Sequence, residues 1–341
     1  MARATATGNR EAPSAGAAST SETGGRLPAW AEVVLRRYTV VLVLVAMTVV
    51  FSVLRPYTFA TAGNFQTIAN SQSVLLILAL GLTLPLSTGE FDLSIASGLG
   101  FAAILIGYLC GILHWSLLPA VLVILADGVL IGAINGLFVV RFGVNAFIVT
   151  LGTSTVLTGL TLAVSGGQVL NGVPASLSSF ATYALAGLAI PVYIALALAL
   201  LLWYVYEHTP LGRHITFIGF GREVARLAGL RVDALRAGAF IVSSVIAAGC
   251  GILAAGQLGA ADPSAGPGYL LPAFAAAFLG TTTIRPGRFN AWGTVVALAF
   301  LEIGVTGLEL LGAASWVEDV FNGAALIIAV TFARLVSRTL D

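Results

Sequence analysis

Charge is scarce in this chain. Only 9% of its 341 residues are Asp, Glu, Lys or Arg, against roughly a quarter in a soluble domain. With 58% hydrophobic residues, it could not cover a water-facing surface with polar groups. The net charge of +1 leaves no basic footprint for nucleic acid. Lysine is absent; all 16 basic residues are arginine. The two cysteines, Cys110 and Cys250, lie inside apolar runs and read as small packing residues rather than a disulfide or metal pair. His114, His208 and His214 have no metal-ligand spacing. No GxxxxGK[ST] loop occurs, nor any base–nucleophile set. The expectation is a non-enzyme with no cofactor of its own. If ATP drives it, another chain must bind and hydrolyse the nucleotide.

Long apolar runs fill most of the sequence. A bilayer core about 30 Å thick needs about 20 apolar helical residues. That ruler predicts an all-α polytopic membrane protein with about ten spans: 38–54, 66–88, 93–113, 117–140, 145–165, 180–206, 237–258, 269–284, 289–311 and 318–336. The second and third are separated only by Gly89 to Asp92, so a broken or re-entrant segment is expected near 85–95. Residues 1–29 are rich in Ala, Ser, Thr and Gly, lack a signal-peptide core, and read as a disordered cytoplasmic tail. The remainder, 30–341, reads as a single transmembrane domain.

Arginine placement orients that domain. With the N-terminus inside, the cytoplasmic segments hold Arg36 and Arg37, Arg141, Arg285 and Arg288, Arg334 and Arg338, and five more within 207–236; only Arg55 lands outside. This is the expected positive-inside bias. Both termini are then cytoplasmic. Asp262, Glu309, Glu318 and Asp319 fall in or near outer loops, either without positional meaning or as an external docking surface.

Several stretches can carry function. In Ser87-Thr88-Gly89-Glu90-Phe91-Asp92-Leu93-Ser94, two acids lie in a very short loop. Asp92 or Ser94 can cap the following helix. The loop is either an ordinary capped turn or a helix break lining a solute pathway. Hydroxyls at Thr150, Ser154, Thr158 and Thr161 share one helical face, with Gly152 and Thr153 among them. Such a face can hydrogen-bond a polyol or pack against another helix. Gly128-x3-Gly132-x3-Gly136 is a small-residue helix-packing pattern. Asp127 and Glu302 are intramembrane acids without a basic neighbour in their spans, and are functional candidates for that reason.

The longest charged interruption is 207–236, with Arg213, Arg222, Arg226, Arg231 and Arg236. Within it, Gly221 to Leu230 can form a short helix bracketed by Gly221 and Gly229. Val224, Leu227 and Ala228 share one face, and Glu223 can pair with Arg226 at i+3. Such a helix either inserts into a partner's groove or lies on the membrane surface.

Ordered blocks across 64–334 resemble the permease subunits of bacterial ABC importers of the ribose/xylose/galactose type. They are Asn64-Phe65 with Leu80-Gly81-Leu82-Thr83, Thr88-Gly89-Glu90-Phe91-Asp92-Leu93-Ser94 (the family's TGGIDLS), Phe147-Ile148-Val149-Thr150-Leu151-Gly152-Thr153 (FIVTLGT), Ser165-Gly166-Gly167-Gln168 (TGGQ), Gly266-x-Gly268-Tyr269-Leu270 and Gly280-Thr281-Thr282. Thr209, Gly212, Arg213, Ile218-Gly219, Ala225 and Gly229-Leu230 match the family's coupling segment. Two departures stand out: Glu90 replaces the motif's second glycine, and Leu270 replaces the glutamate of the late GYEL block.

The resemblance implies a translocation pathway for a monosaccharide or related polyol in the bacterial inner membrane. The implied partners are a cytoplasmic ABC ATPase, an extracytoplasmic solute-binding protein, a second permease copy forming a homodimer, and membrane lipid, with no nucleic acid. The pathway is expected at Asp92, Ser94, Thr150, Gly152, Thr153 and Ser154. ATPase coupling is expected at Gly221, Arg222, Glu223, Val224, Ala225 and Gly229. The alternatives are related permeases for branched-chain amino acids, nucleosides or a signalling furanose, and an ion-coupled secondary transporter using Asp92, Asp127 or Glu302.

Overall fold

The computed structural model describes residues 29–338. The tail expected over 1–29 lies, apart from Ala29, outside the described residues. The chain forms α1 (Ala29–Leu54), α2 (Ala62–Ser71), α3 (Ser73–Ser87), α4 (Ser94–Gly107), α5 (Leu117–Gly136), α6 (Ala146–Ser165), α7 (Ala175–Thr182), α8 (Ile190–His208), α9 (Pro210–Phe220), α10 (Arg222–Leu227), α11 (Val232–Leu258), α12 (Ala265–Gly268), α13 (Leu270–Gly280), α14 (Ala291–Leu310) and α15 (Trp316–Arg338). Single π-helical turns extend α4 through Tyr108–Ile112 and α5 through Leu137–Arg141. Two short antiparallel pairings, Leu170–Asn171 with Ala260–Ala261 and Ala184–Leu185 with Leu188–Ala189, tie loops together at one end.

The all-α polytopic architecture is as expected; the count of about ten spans is not confirmed. Among the described residues, six helices are long and apolar enough to cross a membrane, or seven if the bent pair α2–α3 is one span. Tyr38–Leu54 and Ala265–Gly280 are apolar but short. The stretch 265–280 divides at Tyr269 into α12 and α13, and at 1.5 Å per residue it reaches only about 24 Å. The expected span 180–206 begins later, at Ile190, with Pro191 in its first turn; the residues before it finish α7 and form a tight strand pair. The sharp break also lies elsewhere than expected. A 48° bend separates α2 from α3 at Gln72, whereas 88–93 is a non-helical turn joining the complete helices α3 and α4.

The core follows from patterning. Helix α3 is apolar on every side, which marks a helix surrounded by protein; every residue except Leu76 is buried. It packs with α4, α8, α11, α13, α14 and α15 in one large cluster. Lipid tails are as apolar as leucine, so helix association in a membrane relies on close packing and polar contacts. The Gly128/Gly132/Gly136 stripe supplies the first, letting α5 lie directly on α11. A Cβ on Gly132 would stand 2.8 Å from the Ile241 backbone nitrogen, and one on Gly128 would stand 2.9 Å from the Ser244 carbonyl.

The bundle has two dissimilar ends. At one lie the 88–93 turn, the α5–α6 turn, α9, α10 and the loop before α14. Arg213, Arg222, Arg226, Arg231, Arg236, Arg285 and Arg288 all sit there, beside or within those segments. Arg285 pairs with Glu207 at 2.7 Å, and the Arg288 guanidinium lies 5.4 Å from the centre of the Phe220 ring. Asp262, Glu309, Glu318 and Asp319 lie at the other end. There Ser264 donates to Asp262 from both its hydroxyl and its backbone N–H, which holds that carboxyl below the usual carboxylate range.

Candidate functional site

The turn at 88–93 is the centre of the site. At the end of helix α3 the Pro85 carbonyl accepts from the backbone N–H groups of Thr88 and Glu90, both at 3.0 Å, which closes the last turn. Gly89 takes φ +79°, a left-handed conformation that glycine adopts without steric cost. The chain then re-enters as α4. Asp92 Oδ1 accepts from the Ser94 N–H at 3.1 Å and from the Ser94 hydroxyl at 2.6 Å, satisfying a donor that the helix itself leaves unpaired.

From Asp92 a buried hydrogen-bonded chain crosses four helices. Ser243 on α11 donates to Asp92 Oδ2 at 3.4 Å. Asn135 on α5 donates to the Ser94 hydroxyl at 2.8 Å, and its own carbonyl accepts from Thr153 on α6 at 2.7 Å. Thr150 accepts from the Leu93 N–H at 3.1 Å; its hydroxyl lies 2.8 Å from the Ala146 carbonyl and 3.2 Å from that of Phe91, which share one proton. Ser97 and Ser154 hydroxyls meet at 2.7 Å. Asp92, Ser94, Asn135, Thr150 and Ser243 are all buried.

Five of the six residues expected at the pathway therefore take part in these polar contacts: Asp92 and Ser94 bond each other, Thr153 joins them through Asn135, Thr150 bonds the backbone of the turn, and Ser154 bonds Ser97. Gly152 does not join them. It lies on the exposed side of α6, where nothing stands within 4 Å of the place a Cβ would take. Asn135, Ser97 and Ser243 were not singled out by sequence. The available signal was a polar side chain inside an otherwise small or apolar packing stripe, as with Asn135 beside Gly132 and Gly136. Glu302 is buried and Asp127 half-buried; neither makes a hydrogen bond or ion pair with the described residues.

Directly beneath the turn lies the arginine-rich segment. It holds two helices where the sequence suggested one. Thr209 caps α9 by accepting from the Gly212 N–H at 3.3 Å, with Pro210 in the first helical position. A Cβ on Gly219 would collide with the Ser87 carbonyl, so α9 presses on the end of α3. Helix α10 follows, with Gly221 before it and Gly229 after it at φ +79°. The expected Glu223–Arg226 pair is present at 3.8 Å, and Arg226 also meets Asp233 at 3.0 Å. Ala225 is fully buried against Ile218 and Val232. Val224 and Leu227 point outward, 58% and 90% exposed.

Helix α10 and the turn are held together by charge. Arg222 donates to the Gly89 carbonyl at 3.0 Å and pairs with Glu90 at 2.6 Å. Arg236, near the start of α11, reaches the same Glu90 oxygen from Nε at 2.6 Å and from Nη2 at 2.5 Å. The Glu90 side chain is only 4% exposed. A cleft of about 890 Å³ opens beside this knot, between α10 and the start of α6, with Glu90, Arg222, Arg226 and Arg236 on its wall.

A bundle of apolar spans with a packed polar network at its heart, held to a basic segment at one end, is the architecture of a multi-pass membrane protein. The chain belongs to the family described as "Branched-chain amino acid transport system / permease component", which matches residues 64–330. It is 32% identical over 291 residues to the ribose import permease protein of Escherichia coli (strain K12), covering 84% of this chain and 90% of that protein. It is 29% identical over 306 residues to the D-allose transport system permease protein of the same strain, covering 89% of this chain and 93% of that protein. It is 31% identical over 262 residues to the autoinducer 2 import system permease protein of Yersinia pseudotuberculosis (serotype O:1b, strain IP 31758), covering 74% of this chain and 78% of that protein. No solved structure matches it. The chain is thus a membrane permease component of an ABC importer, a transport subunit of the bacterial inner membrane.

Proposed function

We propose that this chain forms the translocation pathway of an ATP-driven importer for a monosaccharide, as two copies of the single transmembrane domain 30–341. The ATP is bound and hydrolysed by a separate cytoplasmic ATPase, and solute is delivered by an extracytoplasmic binding protein. Both termini and the arginine-rich end face the cytoplasm, following the positive-inside bias. The acidic end, with Asp262, Glu318 and Asp319, faces the binding protein. The names of the ribose and allose relatives support a sugar as the solute. Hydroxyl and amide groups around Asp92 fit a polyol, which needs hydrogen bonds weak enough to permit release.

The observation that carries this reading is α10. Val224 and Leu227 stand out from the arginine-rich end at 58% and 90% exposure, while Ala225 anchors the helix from behind. An apolar ridge on a short anchored helix suits a groove on a soluble partner. Ala225, expected at the docking surface, contributes from inside by holding the helix in place. The contact itself falls to Val224 and Leu227, with Glu223 and Arg226 beside them.

The test is reconstitution. Permease, ATPase and binding protein in proteoliposomes should take up labelled D-ribose or D-allose only when ATP is supplied. Uptake of leucine instead would move the substrate class to amino acids. Uptake by the permease alone, driven by an imposed proton or sodium gradient, would replace the reading with an ion-coupled carrier using Asp92, Asp127 or Glu302.

A further inference from the structure

We infer that Glu90 is a positioning residue that ties the docking helix to the polar network of the permease, so that movement of α10 is relayed by this carboxylate toward α4, α5 and α6. The inference rests on α10 being the docking helix, as proposed above.

The geometry is specific. Helix α10 packs mainly on α9 and α11; its apolar anchor, Ala225, faces Ile218 and Val232. What reaches across is Arg222, bonded to the Gly89 carbonyl at 3.0 Å and to Glu90 at 2.6 Å. Two residues beyond Glu90, Asp92 holds Ser94 on α4 and Ser243 on α11. Ser94 is held in turn by Asn135 on α5, and Asn135 by Thr153 on α6. Phe91, between the two acids, stacks on Phe274 and Phe278 of α13 at 6.3 and 6.1 Å. A shift of α10 is thus delivered to a turn that bonds α4, α6 and α11 and stacks on α13, with α5 one bond further on through Ser94.

Arg236 makes the connection stiff. It contributes a second guanidinium to the same Glu90 oxygen from the base of α11, so the carboxylate is fixed between one arginine that belongs to α10 and one that belongs to the bundle. Charge-assisted bonds of this kind are short and directional. Glycine at position 90, as in the motif this turn resembles, would leave Arg222 only the Gly89 carbonyl and leave Arg236 buried beside the half-exposed Asp233 at 3.9 Å. In this chain, then, Glu90 and Arg236 act as a matched pair.

The experiment uses the full complex of permease, ATPase and binding protein in proteoliposomes, reading D-ribose taken up per ATP hydrolysed. A merely structural role for Glu90 would not move that ratio once folding is restored. The double variant Glu90→Gly with Arg236→Leu leaves no unpaired buried charge. It should melt within a few degrees of the wild type in detergent, retain the ATPase on co-purification, and lose at least tenfold in ribose per ATP. Arg222→Ala removes a partly exposed side chain and should fold normally, losing roughly three- to tenfold. A wild-type ratio in either folded variant overturns the inference. Loss of ATPase co-purification in both variants assigns the defect to docking and also overturns it. ATP-independent uptake by the wild-type complex would overturn the reading beneath it as well, which sets that failure apart from a failure of Glu90 alone.

Discussion

Glu90 and Asp92 lie two residues apart in one buried turn, yet the protein satisfies them in opposite ways. Glu90 is matched by the formal charges of Arg222 and Arg236. Asp92 meets only neutral donors, from Ser94 and Ser243. The difference follows the axis of the bundle. Glu90 faces the arginine-rich end, where cations are available. Asp92 faces inward, where the groups that reach it are the Ser94 backbone N–H and the hydroxyls of Ser94 on α4 and Ser243 on α11. A charge-paired acid resists separation from its partners, whereas a hydroxyl network can exchange one partner for another at small cost. The first arrangement suits a linkage and the second suits a pathway wall.

The comparison can be broken most severely at Arg236. Removing one partner of a buried ion pair costs up to about 3–5 kcal/mol, and without Arg236 the buried Glu90 keeps only the part-exposed Arg222. Arg236→Ala should therefore lower the thermal unfolding midpoint in detergent by many degrees, and a wild-type midpoint would mean that Arg222 alone satisfies Glu90. On the neutral side, Asp92→Leu deletes three hydrogen bonds to a carboxylate and leaves the Ser94 N–H buried. Each such bond contributes about 1.5–3 kcal/mol. Asp92→Asn, which still accepts from Ser94, should recover most of that stability. Equal destabilisation by Leu and Asn would show that the charge matters more than the acceptor.

At the exposed ridge the expectation reverses. Leu227→Asp touches no packed neighbour, so permease stability should change by no more than about 0.5 kcal/mol. ATPase association should nevertheless weaken at least tenfold, about 1.4 kcal/mol, as for an apolar anchor in a protein interface. Undiminished co-purification would remove α10 from the docking surface. The smallest effect is expected at Arg226→Ala. Its pairs with Glu223 and Asp233 are surface pairs, more than half exposed on both sides, and such pairs contribute about 0–1 kcal/mol. A large loss of transport there, with folding intact, would mean that Arg226 bonds the partner.

Much of the site was legible in the sequence because its signals are local. Capping by Asp92 needs only the next helix. The Glu223–Arg226 pair needs only helical spacing. Small residues every fourth position foretell a close helix crossing, which α5 and α11 make. What was not legible depended on residues far apart in the chain. Glu90 looked like an acid intruding on a pathway because Arg236, its neighbour in space, is 146 positions away. Asn135 gave no more than a polar letter in a glycine-rich run until Ser94 and Thr153 appeared on either side of it. The count of about ten spans is unconfirmed for a related reason. Hydropathy over 269–284 says that a segment is buried in something apolar. It does not say whether that is lipid or protein, and here α13 is largely enclosed by α3, α14 and α15.

The sequence by itself determined the class of protein, since 9% charge and long apolar runs permit only helices that satisfy their own backbone in a membrane. It also determined which end carries the arginines, because their positions between spans are a one-dimensional fact. Only the tertiary structure decided what the two acids of the 88–93 turn do. Whether a buried carboxylate meets a guanidinium or a hydroxyl depends on which helices the packing brings within 3 Å, and that is a property of the assembled bundle.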